Sequence, residues 1–128
     1  SSCTAGPEQI KLGEDNCYFC KMTISDERFG AELLTKKGKV YKFDDVHCVV
    51  SYLKTKDVAL ENIKDIYLTN FCSNHQLVNV KQSLLLKSDA LKSPMNGNIA
   101  AFDNRDSLIK MQQQFLGNTI SWNEIAPQ

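Results

Sequence analysis

The sequence predicts an α+β domain of short strands and two helices, and three observations carry that expectation. Apolar residues recur at helical spacing in two separate stretches. Between and around them lie short runs rich in Val, Ile, Leu, Tyr and Phe, the residues that suit a pleated surface. Gly, Asn and Pro punctuate those runs at turn-like intervals. A chain of 128 residues fits one domain, and 42% hydrophobic against 23% charged residues is the composition of globular material rather than disorder.

The elements follow in order. Residues 1–12 are small and polar at first, without helix or strand pattern, and read as a flexible tether ahead of a domain over residues 13–128. Residues 15–24 hold a cysteine cluster in a polar, turn-prone setting. Residues 31–35 and 39–43 form a predicted hairpin around Lys36-Lys37-Gly38, where glycine supplies the permissive turn position. Asp44 or Asp45 can cap a helix whose Val46, Val49, Val50 and Leu53 share one face to about Thr55. Residues 66–71 suit a strand, whereas residues 77–87 are ambiguous: Leu77, Val78 and Val80 favour strand, and Leu84-Leu85-Leu86 fits strand or helix. Residues 98–102 read as a buried strand after a turn at 94–97. Asp103 or Asn104 opens a second helix with Leu108, Met111, Phe115 and Leu116 on one face, stopped by Gly117-Asn118. A last short strand is expected over residues 120–122. No internal sequence repeat is strong enough to argue from.

Charge excludes one class of function. Lys plus Arg and Asp plus Glu each total 15, for a net charge of zero, so the clustered basic footprint of a nucleic-acid binder is missing. Lys36, Lys37, Lys39 and Lys42 alternate with apolar residues and read as a solvated strand face. No apolar run approaches the roughly 18 residues needed to cross a bilayer.

Five cysteines, at 3, 17, 20, 48 and 72, are an odd number at irregular spacing, unlike a disulfide scaffold. Cys48, on an apolar helical face, and Cys72, in an apolar segment, read as core filler, since a free cysteine packs as a small hydrophobe. Ser1-Ser2-Cys3 looks like the end of a bacterial lipoprotein signal, where small residues precede the acylated cysteine. On that reading Cys3 carries the lipid; an incidental cysteine is the plainer alternative.

Cys17-Tyr18-Phe19-Cys20-Lys21-Met22 is the stretch with chemistry in it. The spacing lets a turn bring the Cys17 and Cys20 sulfurs together. If residues 20–22 run extended, Cys20 and Met22 point to the same side. Thiolate with thioether is a soft donor set that selects Cu(I) over harder ions. A structural zinc site would want four Cys or His ligands, and no second pair has the spacing. Met95, in Ser93-Pro94-Met95-Asn96-Gly97, is the best candidate for a further soft ligand, because a methionine in a polar turn has no evident packing reason. Met111 lies on a helical stripe and reads as core. His47 and His75 can serve as nitrogen ligands but read as surface or hydrogen-bonded histidines.

These residues resemble the NosL family, the copper-delivery lipoproteins associated with assembly of nitrous oxide reductase. The resemblance runs through residues 17–26, where the family carries a Cys-x-Met core often preceded by another cysteine. It continues through Gly38, Phe43-Asp44-Asp45 and Cys48, then Ser93-Pro94-Met95 and Ala100-Ala101-Phe102. Asn96 stands between Met95 and Gly97, where the family has Pro-Met-Gly. The resemblance spans roughly residues 14–116. It implies two small ββαβ-like units similar to part of organomercurial lyase, and Cu(I) bound by Cys20 and Met22, then Met95 and Cys17. It further implies lipidation at Cys3, a place on the periplasmic face of the cell envelope, and copper transfer to a cuproenzyme or membrane transporter complex of nitrous oxide reductase maturation, without catalysis. Two other readings stand beside it: a structural lipoprotein with a Cys17–Cys20 disulfide, and a thiol oxidoreductase. Neither Asp44 nor Asp45 is placed by spacing as a general acid or base near Cys20.

Overall fold

The computed structural model of the protein describes residues 6–128, so the expected lipidation site Cys3 lies outside the described residues. Strands β1 (Ala31–Thr35) and β2 (Val40–Phe43) form the expected hairpin, with Gly38 at φ 92° in its turn. Helix α1 (Val46–Thr55) follows, then β3 (Ile63–Thr69) and β4 (Leu77–Asn79). Together the strands make an antiparallel sheet in the order β2-β1-β3-β4.

The second half repeats the scheme. Strands β5 (Leu84–Lys87) and β6 (Ile99–Phe102) pair antiparallel, helix α2 (Arg105–Phe115) follows, and β7 (Asn118–Ile120) joins the other edge of β5. The order β6-β5-β7 is the same as β2-β1-β3. Each half is therefore a ββαβ unit, and the α+β expectation holds in that form. A short helix α3 (Trp122–Ile125) ends the chain.

Two expectations are corrected and one ambiguity is resolved. Residues 77–87 hold two strands in different sheets, separated by a turn that Ser83 fastens through its hydroxyl to the Asn79 carbonyl at 3.0 Å, so Leu77 and Val78 are in a strand as their side chains favour and Leu84-Leu85-Leu86 takes the strand state. The last strand ends at Ile120, and Trp122 begins α3 instead. Leu116 is not on the α2 stripe: it is the C-cap at φ 65° and 69% exposed, while Leu108 alone is buried along that helix.

The core explains why sheet two can be short. Leu85, Ile99 and Ala101 face the first cluster, which holds Ala31, Leu33, Phe43, Val49 and Leu53 from unit one. Their alternate neighbours Leu86, Ala100 and Phe102 face the second cluster with Phe29, Phe71 and Leu108. A sheet covered on both faces reads as continuous apolar sequence, and all four residues of β6 are buried. The units are joined where the chain leaving β3 pairs with β6, Phe71 N–H donating to the Ala101 carbonyl at 2.8 Å.

Candidate metal centre

The site is built where a loop of residues 13–24 meets the N-terminus of α1. Gly13 N–H donates to the Ile24 carbonyl, Ile24 N–H to Asp15, and Cys17 N–H to Met22, which closes the loop as an irregular hairpin. Asn16 and Thr23 bridge across it. At its tip Lys21 takes φ 70° and returns its N–H to the Cys17 carbonyl at 2.9 Å. The tight turn runs from Cys17 to Lys21, whose left-handed backbone interrupts residues 20–22, so these are not the extended run assumed from the sequence.

Backbone and ring contacts hold this loop on unit one. Tyr18 N–H donates to the Lys42 carbonyl at 2.8 Å. Its ring packs edge-on against Tyr41 and Tyr52, at centroid distances of 4.6 and 5.3 Å. Aromatic edge contacts of this kind add to the stabilisation from burial alone.

Docking the loop brings the sulfurs of Cys17, Cys20 and Cys48 within 4.8 Å of one another. Cys48, read from the sequence as core filler, is indeed fully buried, but its sulfur belongs to this cluster. It was missed because its spacing from Cys17 carries no motif; the nearest signal was its place in the first turn of a helix capped by Asp45. Cys72 packs half-buried against the second core cluster, as filler does.

The three thiols differ electrostatically. A hydrogen bond from the Cys48 thiol is the largest influence on Cys17 and outweighs burial, lowering its pKa to about 5 with help from the backbone N–H groups of Cys20, Asp44 and Phe19. The Cys20 N–H lies 3.4 Å from the Cys17 sulfur. Donating to Cys17 pushes the Cys48 thiol up, and burial adds to that. Cys20 is also raised, chiefly by desolvation. Asp44 sits close by, its carboxyl raised to about 6 by burial and then by the Cys17 charge, with Oδ1 buried and unpartnered among the described residues. One thiolate flanked by two protonated thiols results, a soft donor set suited to a soft ion.

The two methionines are placed differently. Met22 is 61% exposed and lies in the same loop, which also exposes Tyr18 and Phe19. Met95 is half-buried and packs against the first core cluster, which contains Cys17 and Cys48 and which Cys20 also packs against, so it has the packing role that the sequence did not suggest. Its turn is fastened to α1 by Asp45, which caps the helix by accepting the His47 N–H and also accepts from Ser93 Oγ and Met95 N–H. His47 is exposed against Ser51, and His75 is held by the Asn70 carbonyl and Glu27, both as surface or hydrogen-bonded histidines. Met111 packs against the second core cluster.

Among solved structures, the fold is similar to the crystal structure of the copper chaperone NosL from Shewanella denitrificans. The similarity covers 96% of this chain and 97% of that one, at a TM-score of 0.80 and 19% sequence identity. No curated protein matches the sequence. The family model described as NosL matches residues 9–128, which takes in the cysteine loop, both ββαβ units and the Met95 turn, and the chain belongs to the NosL family.

Proposed function

We propose that this protein binds Cu(I) through its sulfur cluster and hands it to a copper-accepting partner. The observation that carries the reading is the convergence of three cysteine sulfurs at the loop–helix junction. Cu(I) is favoured by thiolate and thioether donors, and zinc would need a further Cys or His that the cluster does not offer. Cys20 and Cys17 are the primary ligands, Cys48 joins them, and Met22 and Met95 supply thioethers from the exposed and the half-buried side. Exposure of Met22 and partial exposure of Cys20 suit ligand exchange with an incoming partner, because a metal must be reachable to be passed on. The copper chaperone name of the structurally similar protein supports the same reading.

On this reading the chain is anchored through acyl groups on Cys3 at the periplasmic face of the envelope. The recipient is a cuproenzyme or a membrane transporter complex, with nitrous oxide reductase maturation the preferred setting. The protein acts as a carrier and not as a catalyst. Thiol oxidoreductase chemistry is the weaker alternative. The activated thiol, Cys17, is 0% exposed, while an attacking thiolate needs both a lowered pKa and access.

Anaerobic titration of the reduced protein with Cu(I) and with Zn(II), each against a colorimetric chelator, tests the function. One Cu(I) per chain, held far more tightly than Zn(II), is expected. Cys20→Ser should weaken binding strongly and Met111→Leu should not. Equal or tighter Zn(II) binding would overturn the proposal. Intact-protein mass spectrometry from the native host should find acyl mass on Cys3; a bare thiol there would remove the anchor.

A further inference from the structure

Asp45 is fully buried, and its carboxylate does more than cap α1. Oδ1 accepts the His47 N–H at 2.9 Å, which is the capping bond. Oδ2 points across the unit boundary and accepts from Ser93 Oγ at 2.6 Å, Met95 N–H at 2.7 Å and Gly97 N–H at 3.4 Å. Those donors come from a turn 48 to 52 residues away in sequence. Ser93 is itself fixed, receiving the Asn98 N–H at 2.7 Å and giving its own N–H to Asn98 Oδ1 at 3.0 Å. The approach is so close that a Cβ on Gly97 would strike Asp45 Oδ1 and meet His47 Cβ and N at 3.0 Å. Hydrogen bonds to an ionised acceptor are shorter and stronger than neutral ones, and a buried acceptor has no water to fall back on.

We propose that Asp45 is a positioning residue: its carboxylate locks the Met95 turn of unit two onto the Cys48 helix of unit one, and thereby governs how quickly a metal held between them is released. The second half of this statement rests on the copper-carrier reading; the first does not. Cys48 lies three residues after Asp45 in the first turn of the same helix, so one side chain fixes the backbone at Met95 and at the start of the segment that carries Cys48. Without the lock the turn keeps its internal Ser93–Asn98 bonds but loses its register against the helix.

Asp45→Asn is the informative variant. The amide can keep its oxygen toward His47 and hold the cap, but its NH2 then faces three donors where Oδ2 accepted. Ser93→Ala removes one of those donors and should act in the same direction more weakly. In reduced, metal-free protein, amide exchange at Met95 and Gly97 is expected to accelerate by about tenfold or more in Asp45→Asn, with the α1 amides beyond the first turn unchanged. In copper-loaded protein, Asp45→Asn and Met95→Ala should each speed Cu(I) release to a competing chelator by about tenfold, and the double variant should be no faster than either single one. Full exchange protection in Asp45→Asn would overturn the lock. Wild-type release from Asp45→Asn, or additive effects in the double variant, would overturn its control of release. Wild-type release from Met95→Ala would overturn Met95 as a ligand, and the release half of the proposal with it, while the exchange data still decide the lock.

Discussion

The two ββαβ units share a strand order and differ in what lies over the helix N-terminus. Matched by register, the pair Ala31–Phe43 corresponds to Leu84–Phe102, so Phe43-Asp44-Asp45 corresponds to Phe102-Asp103-Asn104 and Cys48 to Ser107. In unit one both aspartates are buried, under the cysteine loop and the Met95 turn; in unit two Asp103 and Asn104 are exposed. Helix α1 buries Val46, Cys48, Val49, Tyr52 and Leu53, whereas α2 buries only Leu108. The same architecture therefore yields a candidate site in one place and a plain surface in the other. What separates them is cover: two foreign segments reach the start of α1, desolvating its first-turn thiol and giving its cap residue a second set of donors.

Among changes that probe this contrast between the units, the largest effect should come from removing the residue that most distinguishes them. Cys48→Ser is expected to lower Cu(I) affinity by more than about a hundredfold, the loss that a supporting residue alone can cause. Ser107→Ala at the matching position should change nothing. A chelator competition reads both, and equal small effects would erase the functional contrast between the helices. Next in size is Gly97→Ala. Its Cβ would strike Asp45 Oδ1 with His47 close behind, so the turn must lift off the helix, at a cost of about 1 to 3 kcal/mol in urea unfolding. Native stability in that variant would mean the contact between turn and helix is loose.

Much of this contrast was legible in the sequence, and the reasons for the rest are physical. Hairpin, α1 with its cap and stripe, and β6 were readable because local turn chemistry and period coincide with burial there. The Cys17–Cys20 loop and the Met95 turn stood out because sulfur in polar turns is chemically unusual. Cys48 did not: on an apolar stripe, a cysteine that packs and one that offers its sulfur look the same. Asp45 was legible as a cap but not as a lock, since its other partners lie 48 to 52 residues away. Trp122 was expected in a strand because its aromatic ring suits either state, and Ser121 before it starts a helical turn.

The sheets offer a further contrast. Glu32 in β1 corresponds by register to Leu85 in β5, and Lys42 opposite it to Ala101. Glu32 is 0% exposed; Oε1 accepts the Glu8 N–H at 2.9 Å, while Oε2 has no hydrogen-bond partner among the described residues. Burial raises its pKa from 4.5 to about 7, against the pull of that N–H and of Lys42. With the folded pKa above the unfolded one, the native state holds more protons between these values, so stability falls as pH rises through that window. The penalty is absent below the unfolded pKa and complete above the folded one. Glu32→Gln keeps the acceptor for Glu8 and removes the charge, and should gain about 1 to 2 kcal/mol at pH 8 but little at pH 4.5. Urea midpoints at the two pH values read the difference, in which groups common to both proteins cancel. Parallel profiles for the two proteins would show that Glu32 does not titrate in this range.

The smallest expected effect falls on the cap of unit two. Asn104 accepts the Ser107 N–H at 2.8 Å through Oδ1, and its remaining side-chain bond is to its neighbour Asp103. Unlike Asp45 its side chain makes no hydrogen bond to another segment among the described residues, and it is exposed, so water can replace what a substitution removes. Asn104→Ala should therefore cost about 1 kcal/mol, the usual value of an N-cap, and no more. Its Cu(I) affinity and release rate should match those of the wild type, since the three cysteines of the sulfur cluster come from the loop and α1. Thermal unfolding and the chelator competition measure the two quantities on one sample. Weakened copper binding in this variant would mean that the second helix helps to hold the site, and that unit two is more than a platform for the Met95 turn.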